Sequence, residues 1–330
     1  MSRASRRVVL QGLGAGALVL GCTTAGSGEG DGSSGSGGSG GGSGSSGGGS
    51  SGGGEASTAA GSGTGESSGS GAVDETGSTG AGDCEPASDW ATGGTASMTA
   101  QDCYPDPFAG GVGACALLCQ TTAGPSTADC IERHDVSEGL VGLPVRLALE
   151  FVNADDCQPV AGAFVEIWHT QRSGVYSGVT PSGAFCYGDD PDAENYLYFR
   201  GSQTTDAQGR VDFDTCYPGW YGGRAIHIHF RVVLDGQEFL VSQLFFDDAL
   251  NAEICTTHPE YADRGLPDTT NETDNIIGGE DDKSPNIHEI ERMPYGAMLA
   301  WKTVAIRSST QQAQCSTQGG GGPGGPPPGG

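Results

Sequence analysis

Positive charge is scarce in this chain. Lys and Arg number 15 against 41 Asp and Glu, a formal charge of −26 at pH 7. A surface of that sign repels phosphate backbones, which excludes nucleic acid as a partner and leaves solubility as the plain role of the charge. A long apolar run is missing too. The candidate lies at the N-terminus, behind Ser5-Arg6-Arg7-Val8-Val9-Leu10, and ends at Leu18-Val-Leu-Gly-Cys22. It is too short to span a bilayer, and its basic start makes it an export signal rather than an anchor helix. The double arginine resembles a twin-arginine signal, and the ending resembles a bacterial lipobox with Cys22 as the lipidated residue. The expected location is therefore the bacterial cell envelope, on a lipid anchor. A second cysteine pair is absent as well. Cys115 and Cys119 are four apart, but no matching pair follows, so a zinc ribbon is excluded.

Glycine, by contrast, is abundant, with 60 residues. Most fall between residues 23 and 83 or after 318. Gly/Ser tracts bury no apolar surface, so residues 23–83 read as a disordered linker and 318–330 as a disordered tail. The linker would span about 40 Å as a random coil, enough to lift a domain off a lipid surface. Residues 84–317 remain as one domain with a sizeable core. Setting Cys22 aside leaves an even ten of the 11 cysteines, which in an exported chain implies disulfides. Cys186 and Cys216 bracket an insertion after Tyr176, and a bridge between them would brace it.

The domain reads as strands and turns. Val145, Leu147, Leu149 and Phe151 alternate onto one face. Further β-rich runs cover 163–168, 209–213, 224–233 and 238–246, the last two joined through an Asp235-Gly236 turn. No helical period stands out between 140 and 250. The expected fold is all-β, an antiparallel β-sandwich with long irregular loops. Residues 84–138 are Cys-rich and irregular, and 247–291 reads as a long acidic loop covering one end.

The chemistry concentrates in Tyr221-Gly-Gly-Arg-Ala-Ile-His-Ile-His-Phe230. His227 and His229 are two apart, so on a strand both rings point to one side and can reach one metal ion. Ile226, Ile228, Phe230 and Val232 supply the other, apolar side. Two histidines suit zinc, copper or iron. The nearby phenols Tyr221 and Tyr176 narrow the choice, because a trivalent metal can hold a phenol deprotonated at neutral pH. His134, His169, His258 and His288 have no paired context and read as structural or surface residues. Trp168 reads as core.

The segments Val165 to Tyr176, Thr205 to Gly209, Tyr217 to Tyr221, Gly223 to Phe230 and Ser242 to Phe246 together resemble the intradiol ring-cleavage dioxygenases, and most closely their exported single-domain branch. The resemblance covers roughly residues 115–308. It implies a non-haem Fe(III) enzyme that opens a catechol-type ring between its two hydroxylated carbons with dioxygen, giving a muconate-type diacid. It implies Tyr176, Tyr221, His227 and His229 as metal ligands, with Tyr221 also accepting a substrate proton. Arg224 stands where the family places an arginine beside the substrate, and Gln243 where it places a supporting glutamine. Two departures stand out. Only five residues separate Tyr221 from His227, which opens the pocket. The Glu-Gly-Pro-Tyr-like segment of relatives reads Thr122-Ala-Gly-Pro-Ser126, without the aromatic residue. The competing readings are a surface lipoprotein that binds a metal or a catecholate without turnover, and a tethered structural domain.

Overall fold

The computed structural model describes residues 84–317 apart from Ala114 and Asp189. The signal segment, Cys22, the linker and the tail lie outside the described residues. Within them the domain is built from eight strands: β1 (Pro144–Asn153), β2 (Phe164–Trp168), β3 (Arg200–Thr204), β4 (Arg210–Cys216), β5 (His227–Leu234), β6 (Gln237–Phe245), β7 (Glu289–Arg292) and β8 (Met298–Ile306). Two helices, α1 (Gly183–Cys186) and α2 (Asp248–Thr257), lie in the connections. One sheet runs β4-β1-β8-β7 and the other β3-β2-β5-β6.

The period-two pattern of β1 explains its place at the centre of the first sheet. Val145, Leu147, Leu149 and Phe151 are all buried in the main core. The opposite sheet answers with Val165 and Ile167 from β2 and Ile228, Phe230 and Val232 from β5. The Phe151 and Phe230 rings meet at 6.0 Å between centroids, which marks the contact between layers. Each such side chain contributes about 1.5–3 kcal/mol on burial. This is the expected all-β sandwich, with one difference. β1 pairs with β4 antiparallel but with β8 parallel, Val145 opposite Met298 through Asn153 opposite Ile306. A parallel neighbour some 150 positions away leaves no trace in local periodicity.

The acidic stretch after Asp247 also departs from its expected loop character. Its first ten residues form α2, because the Asp247 side chain accepts hydrogen bonds from the Ala249 and Leu250 amides and so caps the first turn. Ile254 and Cys255 bury their side chains in the core from this helix.

Three disulfides join described cysteines: Cys84–Cys103, Cys115–Cys157 and Cys119–Cys315. The expected bridge between Cys186 and Cys216 does not form; both thiols are free and buried, as is Cys255. They face different neighbours. Cys186 Sγ lies 3.1 Å from the Ser126 hydroxyl, whereas Cys216 Sγ points to the Leu140 carbonyl at 3.6 Å. Burial pushes the Cys216 thiol up to about 12, so it is no reactive thiolate.

Candidate metal centre

The second sheet turns one face to the core and the other outward, and the outward face of β5 carries His227 and His229. The two Nε2 atoms stand 3.1 Å apart. His227 Nδ1 lies 2.6 Å from the Ala225 carbonyl. A carbonyl only accepts, so Nδ1 carries the proton and the Nε2 lone pair of the neutral ring is bare. His229 is held differently. Its ring stacks on Trp168 at 4.9 Å and 5°, and its Nδ1 has no hydrogen-bond partner. Trp168 is core, as its sequence context suggests, and it also orients this histidine.

The two tyrosines arrive on separate loops that touch backbone to backbone. Gly174 (φ +84°) lies against the Trp220 carbonyl, and Gly219 against the Arg172 carbonyl; a Cβ at either position would collide with it. The Gly219 amide donates to the Gln171 carbonyl at 3.2 Å, and the Thr170 hydroxyl donates to the Gly219 carbonyl at 2.6 Å. This seam brings the Tyr176 and Tyr221 hydroxyls to 3.5 Å from each other, and to 3.3 and 3.4 Å from His227 Nε2. Two oxygens and two nitrogens thus surround one point. Tyr176, His227 and His229 are buried, while Tyr221 is half-buried. Phe185 from α1 packs edge-on against Tyr221 at 5.9 Å.

The electrostatics fit a cation that supplies charge from outside the protein. Burial, reinforced by Arg224, pushes His227 down to about 3, and burial with its neighbour His227 pushes His229 well below its ordinary value. Burial also raises Tyr176 well above the usual phenol range, with Tyr221 adding to the effect. Burial raises Tyr221 as well, against the opposing charge of Arg224. At neutral pH the four groups are therefore two neutral imidazoles and two intact phenols. No cluster of three or more His, Cys, Asp or Glu side chains suited to a metal exists among the described residues. The phenols make up half of this donor set. A bare nitrogen lone pair, a second imidazole and two ionisable phenols fit a hard trivalent ion, with two phenolates offsetting most of its charge.

Arg224 and Gln243 lie beside the cluster and are joined to each other, Arg224 Nη2 donating to Gln243 Oε1 at 2.5 Å. Gln243 Nε2 donates onward to the Thr122 carbonyl at 2.8 Å. Sequence reading missed Asp274. Its fully buried carboxylate receives Arg224 Nε at 2.9 Å, the Ala225 amide at 2.8 Å and the Ile276 amide at 2.8 Å. Burial acts to raise its pKa, but Arg224 outweighs that and the net shift is downward, so Asp274 stays ionised. It therefore anchors both the guanidinium and the residue, Ala225, whose carbonyl orients His227. No spacing or motif marks this aspartate among its acidic neighbours.

The segment Thr122–Ser126 passes over the site, with the open side of Gly124 toward the His229 ring. The isolated histidines lie elsewhere. His169 is buried between the Thr170 carbonyl (2.9 Å) and the Thr215 hydroxyl (2.7 Å). His258 contacts the Ala91 carbonyl, His288 packs on Phe246, and His134 lies near Asp214.

Comparison with known proteins gives the same direction. A family profile described as Dioxygenase matches residues 120–261. Catechol 1,2-dioxygenase 1 of Acinetobacter lwoffii is 32% identical over 110 residues, 28% of this chain and 32% of that protein. Chlorocatechol 1,2-dioxygenase of Pseudomonas putida is 27% identical over 136 residues, 36% of this chain and 48% of that protein. The chain thus spans between about a third and a half of the length of these curated relatives. An intradiol ring-cleavage dioxygenase from Tetranychus urticae superposes with a TM-score of 0.51 at 28% identity, over 58% of this chain and 95% of that one. With the order of the matching segments and the sandwich that carries them, these likenesses relate the domain around residues 120–261 to the intradiol ring-cleavage dioxygenases.

Proposed function

We propose that this chain is an exported, lipid-anchored non-haem Fe(III) dioxygenase that cleaves a catechol-type ring between its two hydroxylated carbons and incorporates both atoms of O2 into a muconate-type diacid. The observation that carries this reading is the gathering of the Tyr176 and Tyr221 hydroxyls and the His227 and His229 Nε2 atoms within 3.1–3.5 Å contacts. These four groups would hold the ion. When bound, it supplies the positive charge that keeps the phenols ionised and draws electron density from a bound catecholate.

The protein's own residues do the rest. Tyr221, the half-buried member of the set, stands where an entering diol arrives, and its Oη takes a proton from a substrate hydroxyl. Arg224, clamped by Asp274 and Gln243, presents a fixed cation to the negative charge that develops as the ring is attacked. Trp168 and the Thr122–Ser126 segment keep water from the His229 side. Export and anchoring rest on Arg6-Arg7 and Cys22 and accord with the disulfides found among the described residues.

The test is oxygen uptake by iron-loaded protein over a panel of catechols, with product identification. Uptake of about one O2 per ring with a diacid product supports the reading. Iron-replete protein that binds catechol without consuming oxygen overturns turnover and leaves a catecholate-binding domain.

A further inference from the structure

The antiparallel register of the second sheet sets four residues in one rung across all its strands. Gln243 on β6 is opposite His229 on β5, His229 is opposite Trp168 on β2, and Trp168 is opposite Arg200 on β3. Residues directly opposite share a face, so the rung runs along the outward face that carries the metal centre. Three of its members have roles given above. The fourth, Arg200, does not.

Arg200 is 1% exposed, in a position where a lone cation is rare. Among the described residues it forms no ion pair. Its Nε donates to the Ser177 carbonyl at 2.8 Å, its Nη2 donates to the Ser126 carbonyl at 2.6 Å, and its Nη1 has no partner. The two acceptors are informative. Ser177 directly follows Tyr176. Ser126 ends the segment that passes over His229. One planar guanidinium therefore ties the backbone behind a phenol to the backbone that roofs an imidazole. Gly178 makes the approach possible: its φ is +81°, and a Cβ there would lie 3.2 Å from Arg200 Nε and 2.8 Å from the Ala128 methyl. The nearby carboxylate Glu166 is already bonded to Arg231 at 2.9 Å. Burial lowers Arg200 to about 10, opposed first by Tyr176 and then by Glu166, so it stays charged at neutral pH.

We infer that Arg200 is a positioning residue of the metal centre, a buried strut whose two-pronged hydrogen bonding sets Tyr176 relative to His229. This rests on the proposed iron-binding function and extends it to a residue that touches none of the four donors through a hydrogen bond. An arginine buried without a carboxylate is costly in isolation. Its hydrogen bonds to two backbone carbonyls offset part of that cost.

The test is Arg200→Lys, which keeps the charge and loses the planar fork. Arg200→Gln, which keeps a planar donor and loses the charge, is the second variant. Arg146→Lys, an ion-paired arginine on the opposite sheet, is the control. Each is purified with iron and compared with the unaltered protein by visible spectrum, iron content and the kcat and KM for catechol. The expected result for Arg200→Lys is a folded, iron-bearing protein with a shifted tyrosinate-to-iron band. Its kcat falls about ten- to a hundredfold with KM little changed, as a ligand displaced by a fraction of an ångström would produce. Arg200→Gln should show the same changes. Arg146→Lys should change nothing. A red unaltered protein whose Arg200 variants match it in band and kcat overturns the inference alone. Variants that never fold assign Arg200 to the core and overturn the positioning role. An iron-replete but colourless unaltered protein removes the ligand reading and the inference together.

Discussion

The two sheets of the sandwich share a core but treat their outer faces in opposite ways. On the first sheet, β1 and β4 turn Arg146, Glu150, Arg210 and Asp212 outward, and each arginine finds its carboxylate. Arg146 meets Asp212 through Nε at 2.8 Å, and Arg210 meets Glu150 and Asp106 at 3.1 Å each. Phe108 and Met98 from the N-terminal segment then pack over Ala148 and Leu299. The charged groups of that face are thus paired within the protein. On the second sheet the outward face holds two imidazoles, two phenols, an orphan ring nitrogen at His229 and an arginine without a carboxylate. Its polar groups meet one another at 3.1–3.5 Å without forming a complete hydrogen-bond set. Polar groups buried on a structural face are paired inside the protein. Those buried on a face built for a ligand are left for the ligand to complete.

Matched substitutions on the two faces sharpen this contrast. Asp274→Asn leaves Arg224 buried without its counter-charge, and should cost about 3 kcal/mol in stability. It should also lower turnover about ten- to a hundredfold by releasing Arg224 and the Ala225 peptide. Asp212→Asn breaks a partly exposed pair on the other sheet, Arg146 and Asp212 being 19% and 33% exposed at the side chain. It should cost about 1 kcal/mol or less and leave turnover unchanged. Denaturant unfolding and steady-state kinetics on both variants decide the matter. Equal effects from the two would erase the distinction.

A smaller effect is expected from His288. It is buried, both its nitrogens lack partners, and burial with Lys302 nearby lowers it to about 3. The unfolded chain binds a proton near pH ~6.5 while the folded chain does not, so stability falls as pH drops below that value. Between about pH 7.5 and about pH 5 the loss is about 2 kcal/mol for this group. His169, lowered to about 4 chiefly by burial, adds a loss of the same sign. His288→Phe keeps the ring against Phe246 and should remove its own share of the acid sensitivity in metal-free protein. Unfolding curves at the two pH values check it; an unchanged pH slope contradicts the assignment.

The local, strongly patterned parts of the molecule were legible in the sequence. β1 announced itself by alternation. β5 announced both its apolar side and its histidines, and Tyr176, Tyr221, Arg224 and Gln243 all lie at or beside the point where those histidines meet. Features set by distant pairing were not legible. β3, β7 and the parallel partner β8 take their strand character from neighbours far away in the chain. Asp274 acts only because a loop folds back onto Arg224, and Arg200 reads in sequence as an ordinary charged residue at a strand start. The absence of a Cys186–Cys216 bridge follows from the same cause: flanking an insertion in sequence says nothing about where two thiols point. The cap at Asp247 was the one missed signal with a local origin, since an aspartate before a helical stretch is a start signal.

The proposed function stands on two phenols and two imidazoles on the outward face of the second sheet binding one ferric ion. The most direct measurement is the iron content and visible absorption of the purified protein alongside Tyr176→Phe. The expected result is about one iron per chain, a red to burgundy colour from tyrosinate-to-ferric charge transfer, and a displaced or weakened band in the variant. Iron-replete protein without colour, or a band untouched by loss of the Tyr176 hydroxyl, would contradict it.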